Sequence, residues 1–196
     1  MYKIKDIINK VHCCNCLEFI KKIPENSIDV IITDPPYGIN YDKWDKLNLK
    51  WIKETSRILK ENGSVWCFCG WSHVEKVKKE MEKYFILRNW IIWDRIKGRG
   101  AKYNFISTRE DILWLTKSDN YIFNKQSSNI KKKTGGMGLK NKDMYRKLSN
   151  VWTDISPIVP WSKEKVNHPS QKPLKLIERI IEVSSNKNNI ILDPFI

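Results

Sequence analysis

Residues 27–37 read Ser27-Ile28-Asp29-Val30-Ile31-Ile32-Thr33-Asp34-Pro35-Pro36-Tyr37, and this stretch decides the fold class. Its first seven residues form an almost continuous apolar run, which is typical of a strand that is buried on both faces of a parallel sheet. The tetrapeptide Asp34 to Tyr37 follows that strand directly. Because ligands of open α/β sheets bind beyond the carboxyl ends of the strands, this position favours a functional turn. The structural alternative is an ordinary proline turn in which Asp34 caps the chain and Tyr37 packs.

Helical and strand-like patterns alternate along the rest of the chain. Asn15 and Glu18 have the spacing of a helix N-cap and its reciprocal partner, and this helix should continue to Lys22 and end at Pro24. Three further helices are predicted. The first ends at Gly63 and has these residues at helical spacing: Trp51, Ile52, Thr55, Ile58 and Leu59. The second is opened by the capping box Ser72 and Glu75 and has Val74, Val77 and Met81 on its core face, and the third has Pro173 in its first turn and Leu176, Ile177, Ile180, Ile181 and Ser184 at helical spacing. The further predicted strands cover residues 64–69, 86–93, 112–115, 121–123 and 190–196, and the last of them leads into a turn. This alternation predicts an α/β domain.

The composition favours a polyanionic partner. The 196 residues carry 36 basic and 22 acidic side chains, which gives a formal charge of +14 and a pI near 9.5. Nucleic acid is the favoured partner, and an anionic membrane surface is the alternative. No apolar run approaches the roughly 20 residues that cross a bilayer, and the N-terminus lacks the apolar centre of a secretory signal. We therefore expect a cytoplasmic protein with no membrane partner.

Five cysteines stand at positions 13, 14, 16, 67 and 69. The odd number argues against disulfides, and neither group has the Cys-x-x-Cys spacing that zinc sites usually show. Both groups lie in segments that resemble buried strands. We therefore predict cysteines that pack as small apolar core residues, and no metal site.

The composition of the chain changes at residue 124. Residues 124–150 are polar and basic and include the run Lys131-Lys132-Lys133, so this stretch has too few apolar side chains to build a core of its own. We predict one catalytic domain formed by residues 1–123 and 166–196, interrupted by a basic insertion at 124–165. At this length a single domain with an insertion is the expected organisation.

The tetrapeptide carries the groups needed to activate an aromatic amine. Such an amine is a poor nucleophile because its lone pair is delocalised into the ring. The Asp34 carboxylate and a carbonyl held rigid by Pro35 and Pro36 can accept the amine hydrogens and favour a pyramidal, attacking nitrogen. The ring of Tyr37 offers a face on which a base extruded from a duplex can stack.

The order of the motifs resembles that of the beta class of amino-directed DNA methyltransferases, in which the catalytic tetrapeptide comes early and the cofactor turn comes late, a circularly permuted order. The matching segments are residues 15–18, 28–37, 59–64, 93–95, 108–114 and 121–124, followed by the two most family-specific ones, His168-Pro169-Ser170-Gln171-Lys172-Pro173 and Leu192-Asp193-Pro194-Phe195. Nearly the whole chain takes part in the resemblance.

The resemblance implies a Rossmann-like sheet and the transfer of a methyl group from S-adenosylmethionine to the N6 amino group of adenine in double-stranded DNA. It implies direct in-line attack, without a metal and without a covalent enzyme intermediate. The implied catalytic residues are Asp34, Pro35, Pro36 and Tyr37. The implied cofactor-binding residues are Asn15, Asp34, Ser170, Gln171, Lys172, Asp193, Pro194 and Phe195.

The basic insertion matches the position of the target recognition segment in that family. Net charge, glycine-rich sequence and location all favour DNA contact over the alternative of a solvated loop. The candidate DNA-binding residues are Lys97, Arg99, Lys131, Lys132, Lys133, Lys140, Lys142 and Arg146. Arg95 is a further candidate for a phosphate contact, with plain surface charge as its alternative.

Two departures from the family pattern affect the cofactor site. Asn15 stands where the family usually has an acidic residue that engages the cofactor, and capping of a helix is its alternative role. The family pattern also continues beyond the Asp193 turn into a glycine-rich loop, a helix and an acidic ribose partner, none of which follows Ile196. We therefore expect a sheet that is incomplete at its C-terminus, and weak or no binding of the cofactor by the 196-residue chain alone. A complementary C-terminal fragment or a homodimer partner is the candidate for completing the site.

Three other functions stay open at this stage. A cytosine-N4 enzyme shares the fold and most motifs, although Asp rather than Ser at position 34 favours adenine. An RNA or protein amide methyltransferase uses related tetrapeptides, but the late Asp193 turn and the basic insertion favour DNA. The remaining alternative is a truncated, inactive remnant that only binds DNA. The favoured enzyme would belong to a restriction-modification or orphan system.

Overall fold

The strand predicted at residues 27–33 lies inside a mixed sheet in the computed structural model, which describes residues 1–38, 46–99, 102–103, 105–131, 145–166, 168 and 170–195. The helices are α1 (Ile4–Ile7), α2 (Cys16–Ile20), α3 (Lys50–Ile58), α4 (Val74–Met81) and α5 (Leu174–Ser184). The strands are β1 (Ile28–Thr33), β2 (Leu59–Cys69), β3 (Ile86–Arg99), β4 (Ser107–Thr116), β5 (Ser127–Lys131), β6 (Tyr145–Lys147), β7 (Val151–Trp152) and β8 (Ile191–Leu192). The α/β class is therefore confirmed.

The order of strands in the main sheet is β7-β3-β4-β2-β1-β8. Strand β1 pairs in parallel with β2 on one side and with β8 on the other, with Ile32 opposite Trp66 and Val30 opposite Ile191. Strand β4 runs antiparallel to both of its neighbours, β2 and β3. As a result, the carboxyl ends of β1, β2, β3 and β8 meet at one edge of the sheet, which we call the carboxyl edge, and β4 begins there.

Apolar side chains cover both faces of the sheet, as the continuous run in β1 predicted. Every residue of β1 is buried, and from Val30 to Ile32 successive side chains join different clusters because they alternate between the two faces. On one face, Ile28 and Ile31 pack with residues of α3 and α4, including Trp51, Ile52, Ile58, Val74, Val77 and Met81. On the other face, Val30 and Ile32 pack with Trp66, Trp114 and Trp152 and with Leu176, Ile180 and Val183 of α5. The sheet is thus the middle layer between two layers of helices.

The predicted core faces of the helices are confirmed. In α3 the buried residues are Trp51, Ile52, Thr55 and Ile58, in α4 they are Val74, Val77 and Met81, and in α5 they include Leu176, Ile180 and Ser184. Ile177 and Ile181 pack only partly buried against the same core. The helical spacing of apolar residues was therefore sufficient to find the face that each helix turns to the sheet.

Two predicted helix boundaries are wrong. Helix α3 ends at Ile58, and Gly63 lies inside β2, because the chain pairs with β1 from Leu59 onwards and forms a bulge between the pairs Ile28–Leu59 and Val30–Ser64. A Cβ atom at Gly63 would lie 2.7 Å from the Leu59 side chain and 2.9 Å from a carbonyl oxygen of β1, so close approach explains this glycine.

The Ser72 capping box is also wrong. Helix α4 begins after His73, which makes no side-chain cap, and the Ser72 hydroxyl lies 2.8 Å from Nδ1 of His73. By contrast, the Asn15 side chain accepts hydrogen bonds from the backbone N–H groups of Leu17 and Glu18 at 3.0 and 3.3 Å, which confirms Asn15 as the cap of α2. The Glu18 carboxylate, predicted as its reciprocal partner, accepts from the Lys21 ammonium at 3.0 Å instead.

Two predicted strands differ from the structure. Residues 121–123 form no strand; the rings of Tyr121 and Phe123 instead pack on Trp114, with centroid distances of 5.7 and 5.3 Å. The strand predicted from residue 190 contains two paired residues, Ile191 and Leu192, which are exposed and half-buried at the sheet edge rather than fully buried.

The cysteines are only partly as predicted. Cys67 and Cys69 are buried in β2, whereas Cys13 and Cys14 are exposed and Cys16 is half-buried, because the segment before α2 is not a strand. Within the described residues, no three His, Cys, Asp or Glu side chains are grouped so that they could hold a metal ion. In the same part of the chain, no helix is long and apolar enough to cross a membrane.

Residues of the predicted insertion contribute to two sheets. Strands β5 and β6 pair with each other in a separate antiparallel sheet. Strand β7, in contrast, extends the main sheet beside β3, and Trp152 and Ile155 are buried in its core. The division into 1–123 with 166–196 and 124–165 stays a prediction.

Candidate active site

The tetrapeptide and the C-terminal turn lie at the same edge of the sheet. Asp34 follows the last residue of β1, and Asp193 follows the last residue of β8. Because β1 and β8 are adjacent and parallel, both turns leave the sheet on the carboxyl edge, and the two carboxylates influence each other electrostatically. The fold therefore unites two motifs that are far apart in sequence.

Four side chains form a hydrogen-bonded cluster at this edge: Asp34, Tyr37, Glu110 and Lys172. The Lys172 ammonium lies 2.5 Å from Oδ2 of Asp34 and 2.8 Å from Oε1 of Glu110. The Tyr37 hydroxyl lies 2.7 Å from Oδ1 of Asp34 and 2.8 Å from the same Oε1 of Glu110, so its single proton is shared between two carboxylates. We call these four residues the acidic cluster, because its two carboxylates outnumber its one ammonium.

The cluster is shielded from water, which strengthens its internal interactions. The side chains of Lys172 and Glu110 are each 11% exposed, and that of Asp34 is 25% exposed. Burial would lower the pKa of Lys172, but the carboxylates of Glu110 and Asp34 outweigh this effect and raise its pKa above the ordinary value. Burial, together with the same two carboxylates, raises the pKa of Tyr37 well above its usual range. Lys172 is therefore a cation and Tyr37 a neutral donor at physiological pH.

An apolar crevice adjoins the acidic cluster. Its walls include Pro35, Pro36, Leu49, Trp51 and Phe68. The Phe195 ring packs edge-on against Trp51 with a centroid distance of 5.7 Å, so the C-terminal turn reaches the same side of the sheet. Tyr37 packs against the end of β2, where a Cβ atom at Gly70 would lie 3.2 Å from the tyrosine ring. The ring of Tyr37 is thus held between the strand end and the cluster.

Asp193 is an unusual carboxyl group in this turn. Its Oδ1 accepts a hydrogen bond from the Phe195 backbone N–H at 3.0 Å, which shapes the turn. Partial desolvation of its carboxyl group and the nearby Asp34 carboxylate raise the pKa of Asp193 to about 6, although the residue keeps solvent-exposed surface. A cation bound beside it would favour its ionised form.

The other predicted cofactor residues are placed differently. The Gln171 side chain donates to the Glu164 carbonyl at 2.6 Å and accepts from the Val166 N–H at 2.8 Å, so it braces its own segment. Ser170 is exposed, with its hydroxyl 3.5 Å from the ring of His168. Asn15 uses its side chain to cap α2. Gln171, Ser170 and Asn15 therefore differ from Lys172, whose ammonium contacts the Asp34 carboxylate.

The predicted DNA-binding residues fall partly outside the described residues. Lys132, Lys133, Lys140 and Lys142 lie outside them, whereas Lys97 and Arg99 belong to β3, Lys131 to β5 and Arg146 to β6. The end of β3 and the start of β4 pair beyond the carboxyl edge, with Arg99 opposite Ser107. Tyr103 and Phe105, between these strands, are 88% and 99% exposed, and the Lys102 ammonium lies 5.2 Å from the Tyr103 ring.

Sequence reasoning missed Glu110 as a member of the site. The available signal was the charged triplet Arg109-Glu110-Asp111 directly before the apolar run 112–115. Asp111 is fully buried and accepts a hydrogen bond from Trp90 Nε1 at 2.7 Å, so its carboxylate stabilises the fold. The carboxylate of Glu110, in contrast, belongs to the site.

Comparisons with known proteins agree on one family. A family model described as DNA methylase matches residues 28–196. The type II methyltransferase M.HpaI of Haemophilus parainfluenzae is 33% identical over 208 residues, which cover 94% of this chain and 62% of that protein. The DNA adenine methyltransferase YhdJ of Escherichia coli (strain K12) is 34% identical over 203 residues, which cover 92% of this chain and 69% of that protein. The chain thus spans less than two thirds of M.HpaI.

Solved structures share the fold. The M1.HpyAVI–SAM complex matches with a TM-score of 0.65 and 28% identity, over 95% of this chain and 82% of that chain. The PvuII DNA methyltransferase, a cytosine-N4-specific enzyme by its description, matches with a TM-score of 0.66 over 92% of this chain and 71% of that chain, and at 16% identity it supports the fold alone.

Proposed function

Since the chain belongs to the N6/N4 DNA methylase family, we propose that it transfers a methyl group from S-adenosylmethionine to the N6 amino group of adenine in double-stranded DNA. The observation that carries this proposal is the position of Asp34 to Tyr37 at the carboxyl edge, beside the Asp193 turn and the apolar crevice. Asp at position 34 supports adenine over cytosine. The relatives that are type II methyltransferases support a role in restriction-modification, with an orphan enzyme as the alternative.

The side chains at the edge fit the cofactor. S-adenosylmethionine supplies a methyl group on a positively charged sulfur when it is bound. The carboxylates of Asp34, Glu110 and Asp193 outnumber the Lys172 ammonium, so the edge is negative and suits a cation. The half-buried ring of Phe195 offers aromatic surface for the adenosyl group, and the buried Trp51 supports that ring edge-on. We assign the cofactor to this edge of the sheet, beside the Asp193 turn.

The residues of the tetrapeptide have distinct tasks in the transfer. Asp34 accepts a hydrogen of the target amino group, and the carbonyl fixed by the two prolines accepts the other. The Tyr37 ring stacks with the extruded base. Because its hydroxyl is tied to Asp34 and Glu110, the ring is fixed before the base arrives. Such preorganisation favours near-attack geometry, which a displacement of one ångström can weaken by about 100-fold in rate.

Charge and exposed aromatic groups support DNA as the partner. The formal charge of +14 favours a polyanion. Tyr103, Phe105 and Lys102 are exposed in the segment that connects β3 to β4, and this segment follows the carboxyl end of β3. Aromatic side chains beside basic ones can stack on bases while the cations contact phosphates.

Mass spectrometry of methylated DNA tests the proposal. The full chain is incubated with S-adenosylmethionine and unmethylated plasmid DNA, which is then digested to nucleosides. At a concentration of S-adenosylmethionine high enough to offset the weak binding expected of the 196-residue chain, we expect N6-methyldeoxyadenosine from the wild type. Asp34→Ala should lower its formation by at least about 100-fold, in line with the loss of a preorganised catalytic contact. Asp119→Asn is the matched control, because that side chain is 86% exposed and lies away from the edge. N4-methyldeoxycytidine would replace the adenine assignment, and DNA binding without transfer would establish the inactive remnant.

Salt dependence tests the basic insertion. Each neutralised phosphate adds roughly 0.9 to the slope of log affinity against log salt. Replacing Lys131, Lys132 and Lys133 with Ala should therefore flatten the slope. Replacing the exposed Lys53, Lys76 and Lys79 of α3 and α4 is the control with the same change in net charge. Equal slopes for the two triple variants would assign the lysine run to a solvated loop.

A further inference from the structure

We propose that Lys172 is a displaceable counter-ion of Asp34, and that Glu110 is a positioning residue that keeps the Lys172 ammonium when the target amino group takes its place. This inference rests on the proposed function, because the displacing group is the amine of the DNA base. It assigns Lys172 to the amine site rather than to the cofactor, and it gives a task to Glu110.

Both oxygens of Asp34 are engaged in the structure. Oδ1 lies 2.7 Å from the Tyr37 hydroxyl, and Oδ2 lies 2.5 Å from the Lys172 ammonium. A target amine that donates to Asp34 has to approach the same carboxylate. Its nitrogen gains positive charge as the methyl group is transferred, so an ammonium held at Oδ2 would repel it. The ammonium must therefore leave Oδ2 before transfer.

Glu110 makes this movement short. Its Oε1 is already 2.8 Å from the Lys172 ammonium, so the cation can leave Asp34 without losing its other carboxylate. The side chains of Lys172 and Glu110 are only 11% exposed, and an unpaired ammonium would be costly there. The rings of Tyr37 and Phe68 lie 5.8 and 5.1 Å from the ammonium and offer further favourable contacts. The flexible lysine stem allows the shift without movement of the backbone.

The charges explain why two carboxylates are needed. With the ammonium on Glu110, that pair is neutral and Asp34 is left as a lone negative charge that faces the developing cation. If position 110 is neutral, the ammonium has only Asp34 as a charged partner within the cluster and competes with the amine. If Lys172 is removed as well, Asp34 is free again. The proposal thus predicts that loss of Lys172 rescues the loss of Glu110.

The experiment compares the wild type with Glu110→Gln, Lys172→Met and the double variant. Initial rates of N6-methyldeoxyadenosine formation in unmethylated plasmid DNA give kcat and KM at saturating S-adenosylmethionine. We expect Glu110→Gln to lower kcat by about 10- to 100-fold, as for one charge-assisted hydrogen bond, with KM for DNA almost unchanged. The double variant should recover at least tenfold of that loss. Glu178→Gln and Lys175→Met on α5 are matched controls that should keep the wild-type rate.

Urea unfolding of the same four proteins supplies a readout without catalysis. Lys172→Met and Glu110→Gln should each lower the midpoint, and the double variant should lower it by less than the sum, because both changes remove the same ion pair. Equal loss of activity in Glu110→Gln and the double variant would overturn the counter-ion proposal, as would strictly additive midpoints. A wild type that methylates no DNA would overturn the proposed function, and this inference with it.

Discussion

Substitution of Asp29 by Asn should weaken the attachment of β8 to the sheet. The Asp29 carboxylate is 5% exposed, lies 2.9 Å from the Lys60 ammonium through both oxygens, and accepts from the Ile190 N–H at 2.8 Å. An asparagine at this position keeps one oxygen that can accept from the Ile190 N–H. It loses the negative charge that faces the Lys60 ammonium, and its NH2 group cannot accept a hydrogen bond from that ammonium. Charged hydrogen bonds contribute about 1.5–3 kcal/mol, and Lys60, with 37% of its side chain exposed, can partly regain water. We therefore expect a loss of about 2 kcal/mol in the free energy of unfolding.

Urea unfolding followed by tryptophan fluorescence measures this loss. Asp119→Asn, whose side chain is 86% exposed, is the control and should change the free energy by less than about 0.5 kcal/mol. Hydrogen exchange gives a local readout, because the Ile190 carbonyl accepts from the Asp29 backbone N–H at 2.9 Å. That amide should exchange faster in Asp29→Asn. An Asp29→Asn protein as stable as the control variant would refute the reasoning.

Three further predictions use the same proteins and methods. The pKa of Asp193 is raised to about 6 in the folded state, so the folded protein resists ionisation of this group. The free energy of unfolding should therefore fall by about 1 kcal/mol as pH rises from about 4 to 7, a magnitude that allows for solvent screening of an exposed residue. Asp193→Asn should abolish this fall. Leu176→Ala should lower the free energy of unfolding in urea by about 3 kcal/mol because the residue is fully buried, whereas Leu174→Ala, 59% exposed, should change it by less than about 0.5 kcal/mol. The double change Tyr103→Ser and Phe105→Ser should weaken DNA binding by roughly tenfold in fluorescence anisotropy without altering the salt slope, because no charge is removed, and an unchanged affinity would exclude the hairpin tip from the interface.

The elements that local rules describe were predictable from the sequence. Apolar periodicity identified β1 and the buried faces of α3, α4 and α5, and the Asn15 cap was found from one side chain and its spacing. These features depend on contacts within one turn of helix or on a single pattern of burial. The same is true of the tetrapeptide, whose place after β1 followed from the order of residues alone.

Features that depend on distant partners were not predictable in the same way. Gly63 looked like the end of a helix, but pairing with β1 draws the chain into a strand from Leu59 onwards. Tyr121 and Phe123 have strand-like composition, yet both neighbours of β4 in the sheet are already β2 and β3, and the two rings pack over Trp114 instead. Propensity was overridden in both cases by a partner from another part of the chain.

The position of Glu110 follows from the direction of its strand. In a parallel sheet the turns that follow the strands share one edge, and this rule points to Asp34 and Asp193 but not to Glu110. Strand β4 runs antiparallel to its neighbours, so its beginning, and not its end, lies at the carboxyl edge. Glu110 therefore reaches Tyr37 and Lys172 from inside a strand, three residues after Ser107 opens it. In a mixed sheet of this kind, charged residues at the start of an antiparallel strand belong among the candidates for the site together with the turns after the parallel strands.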